Sequence, residues 1–295
     1  MIVKAFRIAV LTSIFSFITI ATLPASALST FETNATRDTE SGTDADPQGP
    51  ASTGSLLSEV LVPGSDGSST GFSGPGYARA AADNLGRAAV DVNGVFFSGN
   101  LFNELTASSI HTADVTNNTG IEAAFAYDFF LPGPRLTVAD FAGLASSDEP
   151  TILALYEFRV SLDFGSGFVP FVTSRAELMG GINGHSLEVS GSDPLGSTFF
   201  SDGFSVFGYQ FDNLDSGISG FLAPGETLTV ESSLFVSLTA PGFETGGAAQ
   251  IGDPLDLSTG AFSGQLTLVP IPPAVWLFAT GIIGLIAVAR RKNRA

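Results

Sequence analysis

The sequence predicts an all-β fold over residues 77–268, an antiparallel β-sandwich of jelly-roll-like type. First, apolar and polar residues alternate over long segments, most clearly from Thr151 to Phe164 and from Thr227 to Ala240, as in strands with one buried face. Second, turn-forming clusters such as Asn93-Gly94 and Ala223-Pro224-Gly225 separate such segments. Third, helical periodicity is scarce, and only Tyr77 to Leu85 suggests a short helix. Short strands at regular spacing are typical of sandwiches.

Further strands are expected around these two long segments. The candidates are Ala88 to Phe97, Leu105 to Val115, Ile121 to Phe130, Phe168 to Leu178, Ser186 to Val189, Phe204 to Phe211 and Phe262 to Val269. Together they supply enough strands for two packed sheets. A core between two such sheets would also take up most of the 26 phenylalanines.

The first 27 residues have the organisation of a secretory signal peptide. Lys4 and Arg7 form a short positive region, and an apolar stretch from Ile8 to Ile20 follows it. Ala25 and Ala27 then match the A-x-A pattern cut by signal peptidase, so the mature chain is expected to begin at Leu28. The alternative is an uncut membrane anchor, for which the apolar stretch is short.

Residues 28–76 are expected to form a flexible arm with one strand. This segment is rich in Ser, Thr, Gly, Asp and Pro. Such a composition buries little apolar surface and favours disorder. Its few large apolar residues lie close together, at Leu56, Leu57, Val60, Leu61 and Val62.

The charge of the chain is concentrated in its middle. The formal net charge is −17, and all 29 carboxylates lie between Leu28 and Leu268, together with six arginines and no lysine. A surface of this sign repels phosphate backbones, which argues against nucleic-acid binding. The chain has no cysteine, so disulfides, thiolate metal sites and cysteine nucleophiles are excluded.

The sequence does not predict an enzyme or a cofactor site. Gly67-Ser68-Ser69-Thr70-Gly71 matches G-x-S-x-G but lacks the strand and helix that a nucleophile elbow needs. The two histidines, His111 and His185, are not spaced as a metal pair. Asp253 and Asp256 are weak metal candidates, although a turn is favoured because D-x-D-x-D-G alternation is missing. A distant pair of carboxylates, as in a glycosidase, could not be seen in sequence.

Residues 269–295 predict a proline motif followed by one transmembrane helix. From Val269 to Ala289 the only polar side chain is Thr280, and a helix of this length matches the hydrocarbon core of a bilayer. Prolines delay the start of the helix to about Ala274. The basic cluster at the end is expected to stay in the cytoplasm, and it consists of Arg290, Arg291, Lys292 and Arg294.

This tail resembles a PEP-CTERM sorting domain in its VPLPA variant. The resemblance covers about 27 residues: the motif Val269-Pro270-Ile271-Pro272, the apolar helix with Trp276, and the terminal basic cluster. It implies that an exosortase, a membrane-embedded processing enzyme, cuts near the motif. The body is then released or transferred to an acceptor at the cell surface or in the exopolysaccharide matrix. An ordinary single-span anchor in the inner membrane is the alternative.

The sequence therefore predicts an exported, non-enzymatic surface or matrix protein that signal peptidase and an exosortase process. Its body would be associated with exopolysaccharide outside the cell. The alternative function is a carbohydrate-binding or carbohydrate-active domain that carries the same sorting tail. A groove with exposed aromatic rings and facing carboxylates would favour this alternative, whereas a smooth acidic surface would favour the first prediction.

Overall fold

A computed structural model describes residues 28–39, 42–61, 76–96, 104–140, 152–181, 184–202, 206–239 and 245–270. All the regular elements in these ranges are strands. They are β1 (Leu28–Thr39), β2 (Gly42–Ala51), β3 (Ser55–Leu61), β4 (Gly76–Asp83), β5 (Arg87–Phe96), β6 (Glu104–Thr116), β7 (Ala123–Leu131), β8 (Arg135–Asp140), β9 (Ile152–Asp163), β10 (Val169–Gly181), β11 (Gly184–Gly191), β12 (Ser197–Ser201), β13 (Val206–Phe211), β14 (Leu214–Leu222), β15 (Thr227–Thr239), β16 (Thr245–Ile251) and β17 (Phe262–Pro270).

The strands form two antiparallel sheets that pack face to face as a β-sandwich. Sheet A has the order β11-β10-β9-β15-β6-β1-β2. Sheet B has the order β12-β13-β8-β16-β5-β17-β7-β14, and β4 and β3 branch from β5. Strands β4 and β5 of sheet B contact β1 and β6 of sheet A. The prediction of an all-β antiparallel sandwich is confirmed.

The core lies between the two sheets and is built by strand alternation. In β6 every second residue is buried, from Leu105 to Val115, and β15 repeats this pattern. The largest side chains of the layer are aromatic, and Phe158 of β9 contacts Phe129 and Phe262 of sheet B at ring-centroid distances of 5.7 and 5.5 Å. Each such burial contributes roughly 1.5–3 kcal/mol.

The prediction of a flexible arm for residues 28–76 is wrong for the described part. Strand β1 pairs with β6 along nearly its whole length and with β2 on its other edge. Its inward positions Phe31, Thr33 and Ala35 are buried. Thr33 Oγ1 and Ser58 Oγ share a hydrogen bond of 2.7 Å across the sandwich. Backbone pairing and small satisfied polar groups therefore stabilise a segment whose composition resembles that of a disordered chain.

The short helix expected from Tyr77 to Leu85 is also wrong, because residues 76–83 form β4. Alanine has the highest helix propensity, but this preference is small per residue and tertiary packing overrides it. Every residue of β4 is buried, so both faces of the strand are covered. Ala78, Ala80 and Ala82 belong to the core between the sheets. Small side chains occupy the inward face of β4, whereas Tyr77, Arg79 and Asp83 lie on its outer face.

The core predicts a large difference between two phenylalanine substitutions. Phe158→Ala should destabilise the protein by about 3–5 kcal/mol, because Phe158 is fully buried and leaves a cavity between the sheets. Phe221→Ala, on a side chain that is 61% exposed, is the matched control and should cost about 1 kcal/mol or less. Urea unfolding of both variants measures the two costs. Similar losses in both would contradict the assignment of the core.

Candidate functional site

The C-terminal strand carries the first half of the predicted sorting motif. Val269 and Pro270 are the last residues of β17 and pair with Ala124 and Ala123 of β7. Proline is tolerated there because a strand end needs no further ladder donor. The domain boundary placed between Leu268 and Val269 thus falls inside a strand. Ile271, Pro272 and the basic cluster from Arg290 to Arg294 lie outside the described residues.

The chain enters the sandwich at the same end at which it leaves. Leu28 is the first residue of β1 and pairs with Asp114, near the end of β6. From β6, residues 117–122 lead directly to Ala123, the partner of Pro270. We call this end of the sandwich the tip. Ala25 and Ala27 of the predicted signal cleavage site lie outside the described residues.

Asn117 holds the connections of the tip together. Its side-chain amide nitrogen donates to the carbonyl oxygens of Ile121 and Leu222, both at 2.7 Å. Its backbone nitrogen donates to the carbonyl of Glu226, and its own carbonyl accepts from Gly225. One fully buried amide therefore joins the β6–β7 and β14–β15 connections.

Asp163 shapes the β9–β10 turn, which also lies at the tip. Its Oδ1 accepts hydrogen bonds from the backbone nitrogens of Gly165, Ser166 and Gly167 at 2.6, 2.9 and 2.9 Å. Gly165 and Gly167 have φ angles of 88° and 102°, a region that favours glycine. This carboxylate is therefore occupied in organising a turn that carries Phe164 and Phe168.

Asp253 and Asp256, the weak metal candidates, also organise backbone. Asp253 accepts from the nitrogen of Leu255 at 2.9 Å. Asp256 accepts from the nitrogen and hydroxyl of Ser258 and from Thr259, and these hydrogen bonds lower the pKa of its carboxyl. The described residues contain no group of three or more His, Asp or Glu side chains arranged for a metal ion.

A buried charged row crosses the outer face of sheet B, and sequence reasoning missed it. The register aligns Glu59, Arg79 and Asp91 on the neighbouring strands β3, β4 and β5. Arg79 Nε donates to Glu59 and the guanidinium carbon lies 4.3 Å from the ring centroid of Tyr77, whose hydroxyl donates to Asp91 at 2.8 Å. Single-sequence patterns could not reveal the row, since its members lie on three strands.

The row is covered by the β16–β17 connection. A Cβ on Gly252 would lie 3.0 Å from the Cβ of Ala89 of β5, and Pro254 is buried. Desolvation raises the pKa of Asp91 to about 7 and raises the pKa of Tyr77 above its usual range. The buried arrangement holds these groups in place but leaves no opening for a substrate.

Aromatic rings also gather where the edges of the two sheets meet, at β11 and β12; Phe199 is exposed, whereas His185, Phe207 and Tyr209 are half-buried. His185 of β11 stacks between Phe199 and Phe207, each with a centroid distance of 4.8 Å. Its Nε2 lies 3.2 Å from the hydroxyl of Tyr209. Because these rings face one another, the cluster closes the gap between the sheet edges.

A concavity on the described surface lies elsewhere and is shallow. It has a volume of about 220 Å³ and lies over β1, β2 and β6. Its lining contains no aromatic residue and consists of Glu32, Thr33, Asn34, Pro47, Gln48, Gly49, Ser108 and Ile110. Pockets for small ligands are usually larger and more apolar.

The described ranges contain no helix that is long and apolar enough to cross a membrane. The predicted C-terminal span lies outside them.

Comparisons with known proteins assign no family to this chain. No family model matches it, and no curated protein matches it. Among solved structures, T=1 particles derived from infectious bursal virus align at 9% identity over 84% of this chain and 66% of theirs, with a TM-score of 0.11. The VP2 subviral particle of infectious bursal disease virus aligns at 10% identity over 90% and 75%, also with a TM-score of 0.11. Neither likeness carries an argument about this chain.

The raised pKa of Asp91 predicts that the free energy of unfolding decreases as the pH rises. Up to pH 7 the folded protein keeps a proton that the unfolded chain releases above about pH 4. Stability supplied by this group is therefore lost as the pH rises from 4 to 7, at up to roughly 1.4 kcal/mol per unit. Asp91→Asn should match the parent near pH 4 and exceed its unfolding free energy at pH 8.

Urea unfolding at both pH values tests this expectation for Asp91. Asp215→Asn, at an exposed carboxylate on β14, is the matched control and should follow the parent. An Asp91→Asn variant that is no more stable than the parent at pH 8 would show that the ionised carboxylate carries no penalty in the row.

His111 predicts a pH dependence of the opposite sign. Its side chain is 4% exposed in the core, and neither ring nitrogen has a hydrogen-bond partner among the described residues. Burial lowers its pKa, although the carboxylate of Asp83 opposes the shift. Stability should therefore fall as the pH drops below about 6.5, where the unfolded chain gains the proton first. His111→Leu should flatten this acid limb in thermal unfolding, and an unchanged limb would contradict the assignment.

Proposed function

We propose that this chain is an exported, non-enzymatic surface or matrix protein that an exosortase sorts and cleaves at its C-terminal motif. The observation that carries the proposal is the tail of residues 269–295, where a proline motif, an apolar segment and a basic cluster follow one another. Nothing polar interrupts the apolar segment except Thr280, as a span requires. The body is the cargo of this tail, associated with exopolysaccharide outside the cell.

The arrangement of the body supports this proposal. The sorting motif begins in the last two residues of β17, so the predicted processing site directly follows the folded domain. The body is rich in carboxylates and needs no disulfide, which suits an extracellular acidic cargo. Its turn-organising aspartates are explained by the hydrogen bonds that they accept from backbone nitrogens.

Three finer predictions belong to this proposal. Residues 1–27 act as a signal peptide cut between Ala27 and Leu28, and residues from about Ala274 form the membrane helix. The sandwich is a jelly-roll-like fold enlarged beyond eight strands. The chain is anchored in the inner membrane only until the exosortase acts, and the body then reaches the cell surface or the matrix.

The carbohydrate-binding alternative has weaker support. Sugar platforms present free aromatic faces next to carboxylates, whereas the rings around His185 stack on one another. The shallow concavity on sheet A has no aromatic lining. The rings around His185 and the shallow concavity thus favour a structural cargo over a lectin or hydrolase.

Mass spectrometry of both mature termini tests the proposal, in cells with and without the processing enzyme. With the enzyme, we expect an N-terminus at Leu28 and a C-terminus at or beyond Pro270, because a cut before Val269 would remove ladder pairs from β17. Without the enzyme, the same chain should end at Ala295. A chain that keeps Ala295 in both strains would contradict cleavage by an exosortase and support the alternative of an ordinary single-span anchor.

A further inference from the structure

The exposed apolar side chains of the body are concentrated at the tip. The described residues include thirteen large hydrophobic side chains that are more than a third exposed. Eight of these lie at the tip, with exposures between 37% and 66%, and an apolar concentration of this kind marks an interaction surface. They are Leu28, Ile121, Phe164, Phe168, Val169, Phe171, Phe221 and Val269.

The strand register shows that these residues share one end of both sheets. In sheet B, Phe221 of β14 and Val269 of β17 flank Ala124 in one cross-strand row. In sheet A, the β9–β10 turn brings Phe164 within 6.1 Å, ring to ring, of Phe125 on β7. Leu28 contributes from the first position of β1. The apolar surface therefore surrounds the point at which the chain leaves the body.

The length of chain beyond Pro270 determines what can cover this surface. Only three residues separate Pro270 from the predicted start of the membrane helix at Ala274. Four extended steps cover at most about 14 Å. The headgroup zone on each side of the hydrocarbon core is itself about 5–7 Å thick. A tail that spans the membrane thus holds the tip against the lipid headgroups.

The charge of the tip indicates how it would meet the membrane. Its connections carry Glu122 and Glu226, and the nearest of the six arginines, Arg159, lies four positions before Asp163 in β9. Anionic lipids attract basic clusters, which the tip lacks. Contact would therefore depend on apolar insertion at the boundary of headgroups and acyl chains.

We propose that the tip is a lipid-docking surface, whose exposed apolar side chains insert into the outer face of the bilayer around the sorting motif. This inference rests on the proposed function, because the spanning tail is what brings the tip to the membrane. Docking would fix the orientation of the body and hold the motif at the depth at which a membrane enzyme acts. It would also give the released body a residual affinity for membranes.

Site-specific fluorescence on the reconstituted chain tests the proposal. The chain has no cysteine, so Phe164→Cys and Phe199→Cys each supply one labelling site. The two phenylalanines are equally exposed, at 45%, and Phe199 lies on β12 at the opposite edge of sheet B. Residues 28–295 carrying a nitrobenzoxadiazole label would be inserted into vesicles of phosphatidylethanolamine with a minority of phosphatidylglycerol.

The expected result is a blue shift and strong quenching by headgroup-spin-labelled lipid for Phe164→Cys, and neither effect for Phe199→Cys. Raising the fraction of phosphatidylglycerol should not increase the quenching, since insertion is apolar. A second tip position, Val169→Cys, should behave like Phe164→Cys. A blue shift that depends on protein concentration without lipid quenching would show a second copy on the tip and would overturn the proposal.

The single tryptophan separates this inference from the proposed function. Trp276 lies in the tail, and brominated acyl chains quench its fluorescence only if the tail enters the bilayer. Quenched Trp276 with an unquenched tip label would overturn docking and leave the anchor in place. Quenching of the tip label alone would support docking and contradict a spanning tail. If neither Trp276 nor the tip label is quenched, docking and the spanning tail are both wrong.

Discussion

The body depends on the apolar layer between its two sheets, because the chain has no disulfide to restrain it. Tyr156 and Phe158 from sheet A interdigitate with Phe129, Phe211 and Phe262 from sheet B at centroid distances of 4.9 to 5.7 Å. This layer also fixes the register of the strands that border it, because a shift of one residue would turn their buried side chains toward solvent. Small hydroxyls within the layer pair with one another, as Thr33 and Ser58 do, whereas the ring nitrogens of His111 have no partner among the described residues.

The sequence alone predicted the strands in which apolar and polar residues alternate clearly. It did not predict the strands that are buried on both faces or that carry mostly small side chains. The patterns of β6, β9 and β15 predicted those strands closely. Half of the residues of strand β4 are alanine, so its sequence favours a helix. Pairing with β3 and β5 makes it a strand instead. Strand β1 depends on pairing with the distant β6, in which Asp114 faces Leu28 and Glu104 faces Asp38, and β2 in turn pairs with β1.

The sorting tail and the tip differ in how far the sequence alone could indicate them. Local motifs give the prediction of a sorting tail, because prolines, apolar residues and basic residues act through their order along the chain, and beyond Pro270 it stays a prediction. The tip could not be inferred in this way, since its apolar residues come from five separate segments and only the register brings them together. The same limit hid the row of Glu59, Arg79 and Asp91, in which Arg79 donates to Glu59 while the buried carboxyl of Asp91 accepts from Tyr77.

The place of β17 in sheet B has a consequence for assembly. It is the sole link between β5 and β7 in the described sheet, so the half with β14 and β7 joins the half with β3, β4, β5 and β16 only through these nine residues. A chain that emerges amino end first cannot close this seam until β17, the last of the described strands, has emerged. The core is therefore sealed from water only when that strand pairs with β5 and β7.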